Sequence, residues 1–68
     1  MVTRLYTAEI KINRSVGDYI KYLVVINDNG VLISDKGLFV LSFFTEEDFK
    51  NQVDIKDNKL SHIGDITL

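Results

Sequence analysis

The residues of this chain best suited to chemistry are Ser61, His62 and Asp65, which lie close together near its end. A serine nucleophile, a histidine base and an aspartate that orients the histidine make up a hydrolytic triad. Neighbouring residues of a strand point to opposite faces, however, so Ser61 and His62 are not expected to converge on one substrate. We therefore predict an exposed or core histidine at position 62 and no enzymatic activity.

Metal and cofactor sites are also not expected. One histidine and no cysteine provide too few ligands for a zinc site. If Gly30 were the obligatory glycine of a calcium-binding loop, Val25 and Lys36 would fall at its first and last positions, where carboxylates are required. The glycines stand singly, so the chain has no phosphate-binding loop, and we predict no cofactor.

Length and composition predict one small folded domain over residues 1–68. A chain of 68 residues supplies one core, and its 46% hydrophobic and 26% charged residues are typical of a globular protein. No stretch approaches the roughly 18 consecutive apolar residues of a membrane span, and MVTRLYTAEI lacks the apolar core of a signal peptide. We expect a cytoplasmic protein that does not cross a membrane.

Alternating hydrophobicity predicts the strands. Residues 6–12 alternate without error, which places Tyr6, Ala8, Ile10 and Ile12 on the buried face of a first strand. After a loop at residues 13–18, residues 19–26 are rich in β-branched and aromatic side chains and form a second strand. The chain contains no proline, so no segment is excluded from a sheet on that ground.

Two turn types compete for Asn27-Asp28-Asn29-Gly30. A two-residue turn at Asn29-Gly30 would set Val24 opposite Asp35 and place a carboxylate among core residues. A type I turn with Gly30 in the left-handed position of a bulge instead sets Val24 opposite Ile33 and keeps that face apolar. We expect the bulged turn, because the buried face fixes the register.

The stretch Ser34-Asp35-Lys36-Gly37 has a similar layout and predicts a second bulged turn. Under this prediction Ile33 pairs with Leu38, Leu32 with Phe39, and Val31 with Val40. The result is a three-stranded meander over residues 19–44.

A short helix and a last strand complete the expected fold. Thr45 is a good N-cap, and Glu46, Glu47 and Asp48 complement the helix dipole, so a helix should run from residue 45 to about residue 53. After a charged loop at residues 54–59, residues 60–68 form the closing strand. The order β-β-β-β-α-β resembles that of SH3-like small barrels. We predict a mostly-β (α+β) fold, either an antiparallel five-stranded sheet or such a barrel.

The most informative feature is a second apolar face on the meander. Tyr22, Val24, Ile26, Val31, Ile33, Leu38 and Val40 are expected on the core face. The second face carries Leu23, Val25, Leu32, Phe39, Leu41 and Phe43. Monomers rarely expose large contiguous apolar patches, so this face needs a cover. The cover is the chain itself curled into a barrel, a second copy in a homodimer, or a different protein partner.

These observations predict a small non-enzymatic protein-binding module that uses the second face. Residues with AT-rich codons are abundant, which suits a phage or mobile-element accessory protein that inhibits or modulates a host factor. One alternative is a nucleic-acid-binding small β-barrel that uses Arg4, Lys11, Arg14, Tyr19 and Lys21, although a net charge of −2 makes nucleic acid an unlikely partner. Another alternative is a protein that sequesters a small ligand.

Overall fold

In the computed structural model, which describes residues 2–13 and 16–67, the chain folds into an antiparallel sheet with one helix on one face. The strands are β1 (Val2–Lys11), β2 (Ile20–Asn27), β3 (Gly30–Asp35), β4 (Leu38–Phe43), β5 (Asp54–Ile55) and β6 (Ser61–Thr67). Helix α1 (Glu46–Gln52) follows β4, and a 3₁₀ turn (Lys56–Asn58) separates β5 from β6. The predicted mostly-β fold with one short helix is confirmed.

The sheet is open, with the strand order β4-β3-β2-β1-β5 and with β6 also paired to β1. It has six strands and not five, because two residues of the predicted charged loop form β5 and pair with the end of β1. The SH3-like barrel is therefore not formed. Leu68, at the end of the predicted closing strand, lies outside the described residues.

The central strand β1 organises the sheet by pairing with β2 along one side and with β5 and β6 along the other. Its predicted alternation is confirmed, since Ala8 and Ile10 are buried while Tyr6 and Ile12 pack against the core. The strand starts earlier than expected, at Val2, because its first half pairs with β6.

The first hairpin turn has the predicted bulged register. Val24 pairs with Ile33 and Ile26 with Val31, and Gly30 has a positive φ of 126°. The side-chain oxygen of Asn27 accepts a hydrogen bond from the backbone N–H of Asn29 at 2.8 Å, which closes an Asx turn. This acidic stretch acts as a turn.

The predicted register of the second hairpin is wrong. Asp35 pairs with Leu38 across a two-residue turn in which Lys36 and Gly37 both have positive φ, 52° and 81°, as a type I′ turn requires. Because Ile33 pairs with Leu41 and Ser34 with Phe39, the bulge falls at Val40 in β4. The predicted pairs of Ile33 with Leu38, Leu32 with Phe39 and Val31 with Val40 are absent from these strands.

Burial of Phe43 explains this difference. Its ring centroid lies 5.6 Å from that of Phe49, and its side chain is 9% exposed. The bulge at Val40 turns Phe43 inward and leaves Leu38 and Val40, the predicted core residues, exposed. The core thus contains the aromatic pair Phe43 and Phe49, and the predicted core residues Leu38 and Val40 lie outside it.

Helix α1 holds the core against the sheet. The hydroxyl of Thr45 accepts a hydrogen bond from the backbone N–H of Asp48 at 3.0 Å, so the predicted N-cap is confirmed. Phe49 is completely buried, and Val53 at the C-terminal cap is buried beside it. The helix therefore covers one face of the sheet and leaves the other free.

Candidate protein-binding face

The sheet face opposite α1, here called the open face, presents five large apolar side chains on strands β1 to β4: Leu5, Leu23, Val25, Leu32 and Phe39. Cross-strand pairing places Leu5 beside Val25 and Val25 beside Leu32 in one continuous row. A neighbouring row contains Leu23 and ends at Phe39. No helix or strand formed by the described residues packs over these rows, since α1 lies on the other side.

Exposure increases along the open face toward β4. Leu5, Leu23 and Val25 are half-buried between their strand neighbours, whereas Leu32 is exposed and Phe39 is 61% exposed. Threonine and serine side chains separate the apolar ones: Thr7 lies beside Leu23, and Ser42 lies beside Leu32. The surface is therefore an apolar patch interrupted by small hydroxyl groups, without a charged residue in either row.

Two of the six residues predicted for this face do not belong to it. Leu41 packs against the core and Phe43 is buried in it, because the bulge at Val40 shifts the alternation of β4 by one residue. Leu23, Val25, Leu32 and Phe39 do lie together as predicted.

Sequence reasoning missed Leu5, which pairs with Val25. Its signal was present, because Thr3, Leu5 and Thr7 continue the alternation of the first strand toward the N-terminus. The predicted strand began one residue too late to include it.

A cleft of about 260 Å³ lies where the open face meets the first hairpin turn. Val25, Leu32 and Phe44 contribute apolar walls, and Asn27 and Ser42 contribute polar groups. Pockets for small ligands usually enclose about 300–1,000 Å³, so this cleft has the size for one side chain of a partner.

The residues of the nucleic-acid alternative do not form one surface. The ammonium of Lys11 lies 4.9 Å from the ring centroid of Tyr19. Lys11 and Lys21 both lie on the open face, beyond its two apolar rows. Arg4 lies on the opposite face, where its Nη2 donates to Glu46 Oε1 at 2.7 Å. This hydrogen bond raises the pKa of Arg4. Arg14 lies outside the described residues.

Acidic side chains also lie beside Lys11 and Lys21, the two cations that share a face. The hydroxyl of Tyr19 donates a hydrogen bond to Asp54 Oδ2 at 2.6 Å, which raises the pKa of Tyr19. Lys21 pairs across the strands with Glu9, and Glu9 also binds Lys56 at 3.3 Å. Alternating charges of this kind give little attraction for a phosphate backbone, which requires a clear positive excess.

Ser61, His62 and Asp65 do not assemble a triad. The Nε2 atom of His62 lies 2.7 Å from Asp65 Oδ1, and its ring packs 5.3 Å from that of Tyr6 on the helix side of the sheet. Ser61 pairs with Thr7 and therefore faces the other side. Within residues 2–13 and 16–67 there is also no group of three or more histidine, aspartate or glutamate side chains that could hold a metal ion.

Among the described residues, no helix combines the length and apolar character that crossing a membrane would need. Comparison of the chain with models of protein families, with curated proteins and with solved structures finds no match.

Proposed function

We propose that this chain is a non-enzymatic protein-binding module and that the open face is its contact surface. The supporting observation is the continuous row of Leu5, Val25 and Leu32, which no element of the described chain covers. Complete burial of an exposed large apolar side chain contributes roughly 1.5–3 kcal/mol. Leu5 and Val25 are already half-buried, so a partner that covers this row gains only part of that free energy at these two positions and more of it at the exposed Leu32.

The chemistry of the open face favours a protein over other partners. Its rows contain aliphatic and aromatic side chains with intervening hydroxyl groups, which match the apolar centre and polar edge of protein interfaces. Phe39 at its margin is the type of residue that anchors such contacts. The occupant is either another protein or a second copy of this chain. The role of a phage or mobile-element protein that modulates a host factor stays a prediction.

The proposal can be tested by comparing what three immobilised proteins capture from a lysate of the source organism, or of its host. The proteins are the wild type, Leu23→Asp in the open face, and Val16→Asp as a matched control in an exposed loop. We expect the wild type and Val16→Asp to retain the same partner and Leu23→Asp to lose it, because the new charge would be buried unpaired in the interface.

Light scattering on the same proteins detects a second copy as the occupant, since Leu23→Asp would then dissociate a dimer that Val16→Asp preserves. Circular dichroism checks that each variant is folded. Equal capture and equal mass for folded Leu23→Asp and wild type would contradict the proposal.

A further inference from the structure

Strand β4 is an edge strand whose outer side can pair with another strand. It pairs with β3 on one side, and no described strand pairs with its other side. Its sequence, LFVLSF, contains no charged residue and no proline, the residues with which edge strands usually prevent pairing. The opposite edge, β6, differs because it carries the pair His62–Asp65 and a bulge at Ile63.

Large apolar side chains are concentrated at this edge. Leu38 is 73% exposed, and Phe44, which directly follows the strand, is 89% exposed. Phe39 and Val40 between them are also exposed. An uncharged strand that combines free backbone groups with exposed apolar side chains is a template for strand addition.

We propose that β4 pairs antiparallel with β4 of a second copy, about a two-fold axis between Val40 and Leu41. Antiparallel pairing of a strand with itself is self-complementary, so it closes as a dimer. In this register Leu38 lies opposite Phe43 of the second copy, and Phe39 lies opposite Ser42 of the second copy.

The bulge at Val40 is what makes this register consistent. In a regular strand, residues five apart, such as Leu38 and Phe43, point to opposite faces, as do residues three apart, such as Phe39 and Ser42. The bulge places Leu38 and Phe43 on the helix side and Phe39 and Ser42 on the open face. Opposed residues of the two copies therefore share a face, as cross-strand pairs must.

The cleft provides a place for the incoming aromatic ring. Ser42, Leu32 and Phe44 line it, so Phe39 of the second copy, opposite Ser42, would lie at its opening. The dimer thereby buries two copies of an exposed Phe39 without opposing like charges within the strands. It goes beyond the proposed function, because Leu5, Leu23 and Val25 lie on β1 and β2, away from this edge, and only Leu32 and Phe39 at the margin of the open face take part in both.

Sedimentation equilibrium of the untagged chain over a range of concentrations tests the pairing. We expect the wild type to form a dimer and Phe39→Lys to raise its dissociation constant by at least about tenfold, because both symmetry-related contacts are lost together. The matched control Ile63→Lys, on the opposite edge, should leave the dimer unchanged. Circular dichroism verifies the fold, which an exposed position should tolerate.

A wild type that stays monomeric at every concentration would overturn the proposal, as would equal dimerisation of folded Phe39→Lys. A series of growing oligomers would also overturn it, since these indicate pairing of β4 with β6 of the next copy in an open chain.

A charge pair tests the register. Adding Ser42→Asp to Phe39→Lys places opposite charges across the two-fold axis, so we expect the combined variant to regain dimer relative to Phe39→Lys alone. No recovery would refute this register. The variant Leu23→Asp should leave the β4 dimer intact, so this proposal and the proposed function can fail separately.

Discussion

At the scale of single residues, Gly30 is the glycine around which the fold leaves least room. It has a φ of 126°, and a Cβ atom there would collide with the carbonyl oxygen of Phe43 and lie 2.9 Å from that of Phe44. Gly37 also has a positive φ, of 81°, but no atom lies within 4 Å of the place its Cβ would occupy. An alanine at Gly37 therefore introduces backbone strain alone, whereas an alanine at Gly30 introduces both strain and a steric clash.

We expect Gly30→Ala to lower the free energy of unfolding by about 3 kcal/mol, from left-handed strain together with displacement of the β4 backbone. Gly37→Ala should cost about 1 kcal/mol, from strain alone. Urea unfolding monitored by circular dichroism measures both. Equal losses for the two variants would contradict the close approach of β4 to Gly30.

Tyr19 provides a pH-dependent test of the contact between the start of β2 and β5. Its hydroxyl donates to the carboxylate of Asp54, and this favours the protonated phenol and raises the pKa of Tyr19. The stabilisation is thus fully present below the ordinary tyrosine pKa of about 10, and it disappears as the pH rises through the raised pKa.

We expect the phenolate absorbance of the wild type to show one tyrosine that titrates at a higher pH than it does in Asp54→Asn. Tyr19→Phe identifies that tyrosine by removing it. The stability of the wild type should also fall more steeply than that of Asp54→Asn above about pH 10. Identical absorbance titrations for the wild type and Asp54→Asn would show that the hydrogen bond does not form in solution.

At the scale of elements, the two hairpins show what local sequence can predict. The first register followed from Gly30 together with the alternation on both sides, and Thr45 identified the start of α1 from its cap chemistry. Both signals lie within a few residues of the feature they determine. The short strand β5 escaped prediction because its pairing with β1 joins residues distant in sequence.

The second hairpin could not be predicted in this way because its register depends on a tertiary contact. Lys36-Gly37 is compatible with either turn, and burial of Phe43 against Phe49 favours the register with a bulge at Val40. That choice moves Leu41 and Phe43 off the open face. The face on which each residue lies was thus predicted correctly on β2 and β3 and only in part on β4.

Truncating the aromatic residues of β4 tests this register. We expect Phe43→Ala to lower the free energy of unfolding by about 3 kcal/mol, because it leaves a cavity beside Phe49. Phe39→Ala should change it by less than about 0.5 kcal/mol at concentrations where the chain is monomeric, since this side chain is exposed. Thermal or urea unfolding measures both. Similar losses for the two variants would contradict the assigned register.

At the scale of the whole molecule, the sheet buries one face under α1 and leaves the other open. Alternation predicted that both faces would be apolar, since that property follows from the residues of each strand. Whether the sheet closes into a barrel depends on twist and on pairing between its first and last strands, which no local pattern specifies. In the structure the sheet ends at β4 on one side and at β5 and β6 on the other.

Methyl-detected nuclear magnetic resonance with a soluble paramagnetic probe tests the central claim, that the open face is available to a protein partner. We predict strong attenuation of the methyl signals of Leu23, Val25 and Leu32 in the isolated chain, and little attenuation of those of Val24 and Ile33 in the core. Adding the partner captured by the wild type should restore the attenuated signals. Protection of Leu23 and Val25 equal to that of Val24 in the isolated monomer would show that the face is already covered and would contradict the account.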